Sequence, residues 1–141
     1  MLSALSLPEP ADATGLAQHA LLAMAYLLFK HALADYAFQT SYQFGNKGMY
    51  GHPGGFVHGA VHVLLTAPVF LILPPASAGL AVLLLGAEFL VHYHIDWAKE
   101  QFVKARGLTS NDAAFWRAMG LDQLLHGLTY VAIVWVLVVM R

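Results

Sequence analysis

The sequence predicts an all-α integral membrane protein: a four-helix bundle with both termini on the periplasmic or exterior side. Three observations carry that reading. Hydrophobic residues make up 59 % of the 141 positions and charged residues only 11 %, against about 25 % charged in an ordinary soluble domain. A water-soluble domain this small is mostly surface and cannot dispense with charge; the mean hydropathy of +0.62 agrees. Next, four apolar segments each approach the ~20 residues that span a bilayer core. Finally, the basic residues fall almost entirely on one side of those segments. This composition excludes a soluble enzyme and a disordered tail. A net charge of −1 without a basic block leaves no electrostatic footprint for nucleic acid. The absence of cysteine excludes disulfides and thiolate chemistry.

Residues 1–14, with Pro8, Glu9, Pro10 and Asp12, lack the basic start of a signal peptide and read as an exposed arm. Residues 15–141 form one transmembrane domain with helices expected at about 15–38, 56–73, 78–99 and 113–140. Leu, Ala and Val richness without period-two alternation argues against a membrane barrel, and backbone satisfaction in lipid makes each span a helix. A very short turn at Pro74–Ser77 makes the second and third helices an antiparallel hairpin. The glycine-rich stretch 40–55 and the stretch 100–112 read as the longer loops. Lys47, Lys99, Lys104, Arg106 and Arg117 collect on the side of these two loops, with Lys30 nearby, whereas Arg141 stands alone opposite. The positive-inside rule makes both loops cytoplasmic and implies a bacterial inner-membrane location. Trp97, Trp116 and Tyr42 fit an interfacial aromatic belt.

The ionisable residues then fall into a pattern. His31 and Asp35 lie four apart on the first helix, with Gln39 four further on; His58 and His62 lie four apart on the second. Glu88, His92 and Asp96 follow at four-residue intervals on the third, with Lys99 beyond; Asp122 and His126 lie four apart on the fourth, beside Gln123. Residues four apart share a helix face, so every helix offers a pair at its cytoplasmic half. Imidazole and carboxylate suit zinc, iron or manganese, and helix bundles aim such ligands at one point. The expected metal ligands are His31, His58, His62, His92, Asp96 and His126. Asp35 and Asp122 are the candidate general bases. Gln39, Lys47, Glu88, Lys99 and Gln123 are expected to orient ligands or hold an anionic substrate. His19, His52 and His94 lie outside the pattern and read as surface residues. Each pair alone would more often be a structural hydrogen bond; four helices placing such pairs at one depth favour a shared polar site.

The run His31-Ala-Leu-Ala-Asp35-Tyr-Ala-Phe-Gln39, then Lys47, His58, His92-Tyr-His-Ile-Asp96-Trp-Ala-Lys99 and Asp122-Gln123-Leu-Leu-His126 resembles a bacterial polytopic membrane family catalogued as a domain of unknown function, family number 3307. The resemblance implies a small multi-helix inner-membrane protein and no particular reaction. More loosely, the layout is similar to membrane-embedded metal-dependent hydrolases, an analogy that transfers no residue roles.

A metal-dependent hydrolase acting on a membrane-associated substrate, such as a lipid or a phosphorylated small molecule, is the leading expectation. Non-enzymatic subunits form a second class. Paired histidines such as His62 and His126 could ligate haem, or the polar cluster could fix helix packing within a homo-oligomer or membrane complex. A proton or metal transporter is a third class, disfavoured by the apolar outer halves of the helices.

Overall fold

The computed structural model describes residues 12–141, and it is all-helical, with no strand among the described residues. The chain runs through α1 (Ala13–Tyr36), α2 (Ser41–Asn46), α3 (Pro53–Thr66), a 3₁₀ turn (Ala67–Leu71), α4 (Ala78–Ala105) and α5 (Ala113–Val139). Most of the expected N-terminal arm, residues 1–11, lies outside the described residues. Asp12 is the N-cap of α1, its carboxylate accepting from Gly15 N at 2.7 Å.

Three segments are long and apolar enough to cross a membrane: Pro53–Leu71, Ala78–Ala105 and Ala113–Val139. The chain thus has the character of an integral membrane protein. At 24 residues, α1 spans about 36 Å at the helical rise. It is not among the three, because Gln18, His19, Lys30 and His31 dilute its hydropathy. All four long helices expose large apolar side chains: Leu21 on α1, Leu64 on α3, Val82 and Leu83 on α4, and Trp135 on α5. Such a belt suits lipid and would be a liability in water.

The packing positions the site. α1 packs on α3 and α5, and α4 packs on the same two helices, giving a ring of contacts in the order α1–α3–α4–α5. At one end of this ring lies an apolar core that includes Ala23, Leu27, Val69, Leu84, Ile133 and Leu137. The other end is polar.

Several boundaries differ from the expectation, each for a local reason. The second helix starts earlier, at Pro53, where a missing N–H costs nothing; His52 caps it, its Nδ1 accepting from Gly54 N at 3.0 Å. It gives way to the 3₁₀ turn at Ala67 because Pro68 cannot continue the α-helical hydrogen-bond ladder. The third helix runs on to Ala105, past the expected end near 99. There Gln101 Nε2 donates to Gly48 O at 2.6 Å, and the chain turns at Gly107, whose φ of +59° suits glycine after a helix.

The stretch 40–55 is not an open loop. Thr40 and Gln43 form a capping box at the start of α2, and Gln43 and Lys47 are buried. α2 lies so close to α3 that a Cβ on Gly54 would stand 2.7 Å from Asn46 Cβ. Tyr93 fastens the far side by accepting from Gly51 N at 2.6 Å. The stretch 100–112 shrinks to the turn after Arg106. There the Thr109 backbone N–H and hydroxyl hold the exposed Asp112 carboxyl below the usual carboxylate range.

Candidate metal centre

Helical spacing places His31 and Asp35 on α1, His58 and His62 on α3, His92 and Asp96 on α4, and Asp122 and His126 on α5, all facing the middle of the ring. Seven of the eight are buried and Asp35 is half-buried. The five imidazoles pack on one another. Ring centroids lie 3.8 Å apart for His62–His92, 4.2 Å for His92–His126, 4.7 Å for His58–His62 and 4.8 Å for His31–His126.

The Nε2 atoms converge on carboxylates. Asp35 has His31 Nε2 at 3.2 Å, His62 Nε2 at 3.2 Å and His58 Nε2 at 3.4 Å. Asp96 has His58 Nε2 at 3.1 Å, His92 Nε2 at 3.5 Å and His126 Nε2 at 3.6 Å. Asp122 lies 3.8 Å from His126 Nε2.

Despite this crowding, hydrogen bonding is sparse. His62 Nε2 donates to Asp35 Oδ1 at 3.2 Å, and His31 Nδ1 shares a hydrogen bond with the Tyr130 hydroxyl at 2.9 Å. By contrast, the Nδ1 atoms of His58 and His92 are buried without a hydrogen-bond partner, and His31 Nε2, His58 Nε2, His92 Nε2, His126 Nε2, Asp96 Oδ2 and Asp122 Oδ1 have only ion-pair contacts. Buried polar atoms are normally satisfied, because leaving one bare costs about 1–3 kcal/mol. Lone-pair donors in this number, gathered in one place, are a candidate ligand set.

Four trios bring one ligand atom from each member within 4.8 Å of the others: His31–His62–His92, Asp35–His58–His62, His58–His92–Asp96 and Asp96–Asp122–His126. Asp35–His58–His62 and Asp96–Asp122–His126 share no residue. His31 adjoins the first through Asp35 and His92 adjoins the second through Asp96. The other two trios, and the His58–Asp96 contact of 3.1 Å, cross between these groups, so the eight residues form one continuous cluster.

The remaining expected residues divide between the rim, the interior and neither. Lys47 Nζ lies 3.3 Å from Asp96, and Lys99 Nζ lies 3.9 Å from Asp122 and 3.2 Å from Glu100. Gln123 Nε2 donates to Asp122 at 3.1 Å and to Asp35 at 3.4 Å, linking α1 and α5 at the rim. Glu88 points away from the cluster. It sits one turn deeper, bound to Lys30 Nζ at 2.7 Å and to the Thr66 hydroxyl at 2.8 Å. Gln39 follows the end of α1 at Tyr36, so the spacing that linked it to Asp35 does not place it on that helix face. His94 is exposed, with Tyr50, as expected. His19 and His52 are half-buried rather than superficial.

Of a second polar tier, only Glu88 was read from the sequence. Thr66, Glu88 and Tyr130 each lie one turn from a cluster residue (His62, His92 and His126), and Lys30, next to His31 in sequence, reaches the same level. Lys30 also donates to His62 O at 3.0 Å and stands 4.6 Å above the Tyr130 ring. Thr66 and Tyr130 continue the four-residue spacing from His62 and His126, which was the available signal.

A helical membrane protein with a buried His/Asp cluster is therefore the class that fold and site define. Residues 23–141 match the family described as "Protein of unknown function (DUF3307)", and the chain belongs to it. No curated protein and no solved structure matches the chain.

Proposed function

We propose that the chain is a four-helix membrane bundle that holds divalent metal in the His/Asp cluster and acts as a metal-dependent hydrolase on a membrane-associated substrate. The observation that carries the metal is the set of buried imidazole nitrogens and carboxylate oxygens that converge from four helices with few hydrogen bonds among them. Zinc, iron and manganese all suit such donors. Eight donors exceed a single tetrahedral shell, so the cluster suits either two ions or one ion whose ligands the remaining residues orient. Ions are favoured over haem because the His92 ring packs against both His62 and His126, filling the space a porphyrin would need between them.

A divalent ion in such a site lowers the pKa of bound water to about 7 and polarises a scissile group. The chain's own residues supply the rest. Asp35 and Asp122 lie at the rim within reach of Gln123, where one carboxylate can accept a proton while the amide orients it. Lys47 and Lys99 bring positive charge to the same rim for an anionic substrate. The excess of basic residues near this rim supports a cytoplasmic position at a bacterial inner membrane, with both termini opposite. Transport is disfavoured by the apolar core beyond Lys30 and Glu88. Metal analysis of detergent-purified protein tests the reading. Bound metal that is lost on His31→Ala plus His126→Ala supports it; metal-free protein, with full in-vivo function in that double variant, removes it.

A further inference from the structure

Between α4 and α5 lies a groove of about 880 Å³, separate from the ligand cluster but touching it. Leu90, Val91, Leu121 and Leu125 line it, and all four are exposed, so the groove opens where lipid would lie. It extends along α4 from Leu90 to Arg106, about 24 Å at the helical rise. His94 is the one polar group toward the Leu90 end; Lys99 lies at mid-length, Arg106 and Arg117 lie toward the other end, and Asp122 is the single carboxylate in the lining. Glu100 pairs with Lys99, and Arg106 rests 4.7 Å from the centre of the Phe102 ring. Asp122 also belongs to a ligand trio with Asp96 and His126. The groove thus joins a long apolar wall, a cationic end and a member of the cluster.

We infer that this groove seats an anionic membrane phospholipid, its acyl chain along the Leu90–Leu125 wall and its phosphate between Arg106, Arg117 and Lys99, beside Asp122. A free phosphate would use the cationic end and leave the apolar length empty. A zwitterionic lipid would fill the length and leave the arginines without a net negative partner. The inference rests on the hydrolase reading for its consequence, which is that an anionic lipid is the substrate class. The seating itself is independent of metal.

The test is native mass spectrometry of the detergent-purified full chain with phosphatidylglycerol and phosphatidylcholine of identical acyl chains, with metal content read on the same sample. Wild-type protein retains phosphatidylglycerol in preference, and glycerol phosphate does not displace it. Arg106→Gln plus Arg117→Gln, both exposed positions, weakens retention roughly thirtyfold, from about a factor of five for each basic side chain at a headgroup. Ala98→Phe, which fills the groove and keeps its charges, weakens retention about tenfold. Equal retention of the two lipids, displacement by glycerol phosphate, or indifference to the arginine variant would each overturn the inference. The His31→Ala plus His126→Ala protein retains the lipid. Metal-free wild-type protein that still selects phosphatidylglycerol therefore removes the metal reading and leaves this one; metal-loaded protein without lipid selection does the reverse.

Discussion

The Lys30–Glu88 pair gives a quantitative prediction, because its partners are 2 % and 1 % exposed and 2.7 Å apart across the centre of the ring. Lys30→Met leaves the Glu88 carboxylate buried with only the Thr66 hydroxyl, and Glu88→Gln leaves the Lys30 ammonium with a carbonyl and an aromatic face. Removing one partner of a buried ion pair costs about 3–5 kcal/mol, because the other charge is stranded. The double variant strands nothing and loses only the His62 carbonyl contact and part of the packing, about 1–2 kcal/mol. The singles therefore sum to about 6–10 kcal/mol against about 1–2 kcal/mol for the double, a coupling of at least about 4 kcal/mol. Reversible unfolding in detergent micelles of the wild type, both singles and the double measures it. Additivity to within about 0.5 kcal/mol would show that the pair behaves as an exposed one and refute the buried polar tier.

Three further outcomes follow from local geometry. Gly54→Ala drives a Cβ against Asn46 Cβ and costs about 1–3 kcal/mol, with faster amide exchange across 41–47; the same change at Gly86, which has nothing within 4 Å, is neutral or slightly stabilising. Thr40→Ala removes the capping box of α2, costs about 0.5–2 kcal/mol, and increases protease cleavage between residues 40 and 52. The Asp112 carboxyl titrates below an ordinary aspartate because Thr109 donates to it from backbone and hydroxyl. Its contribution is present above the unfolded-state value and disappears as pH falls through the folded one. A carbon-13 NMR titration of that carboxyl shows the depressed value, and Thr109→Ala raises it.

The eight cluster residues were legible because helical spacing is a local property and each helix carries its own pair. His58–His62 or Asp122–His126 needs no knowledge of the neighbouring helix to be placed on one face. What spacing could not supply was partnership across the ring. Lys30 counts in the sequence as one more basic residue near the cytoplasmic side, and only its reach across the ring to α4 makes it the partner of Glu88. Glu88 itself stands in register with His92 and Asp96, yet register along a helix does not say which tier a long side chain reaches. Gln39 failed for the opposite reason, since its spacing assumed a helix that ends three residues earlier. Glycine richness hid α2, because Gly54 reflects close helix approach as readily as it does a loop.

We propose that the His/Asp cluster gathered from α1, α3, α4 and α5 holds divalent metal. Metal stoichiometry of the purified chain, supplied in turn with zinc, iron and manganese, tests it most directly. Bound ion is expected with one of these metals, and His58→Ala plus His62→Ala, or Asp122→Ala plus His126→Ala, should each lower the metal content of the folded chain. Folded protein that binds none of the three metals would contradict it.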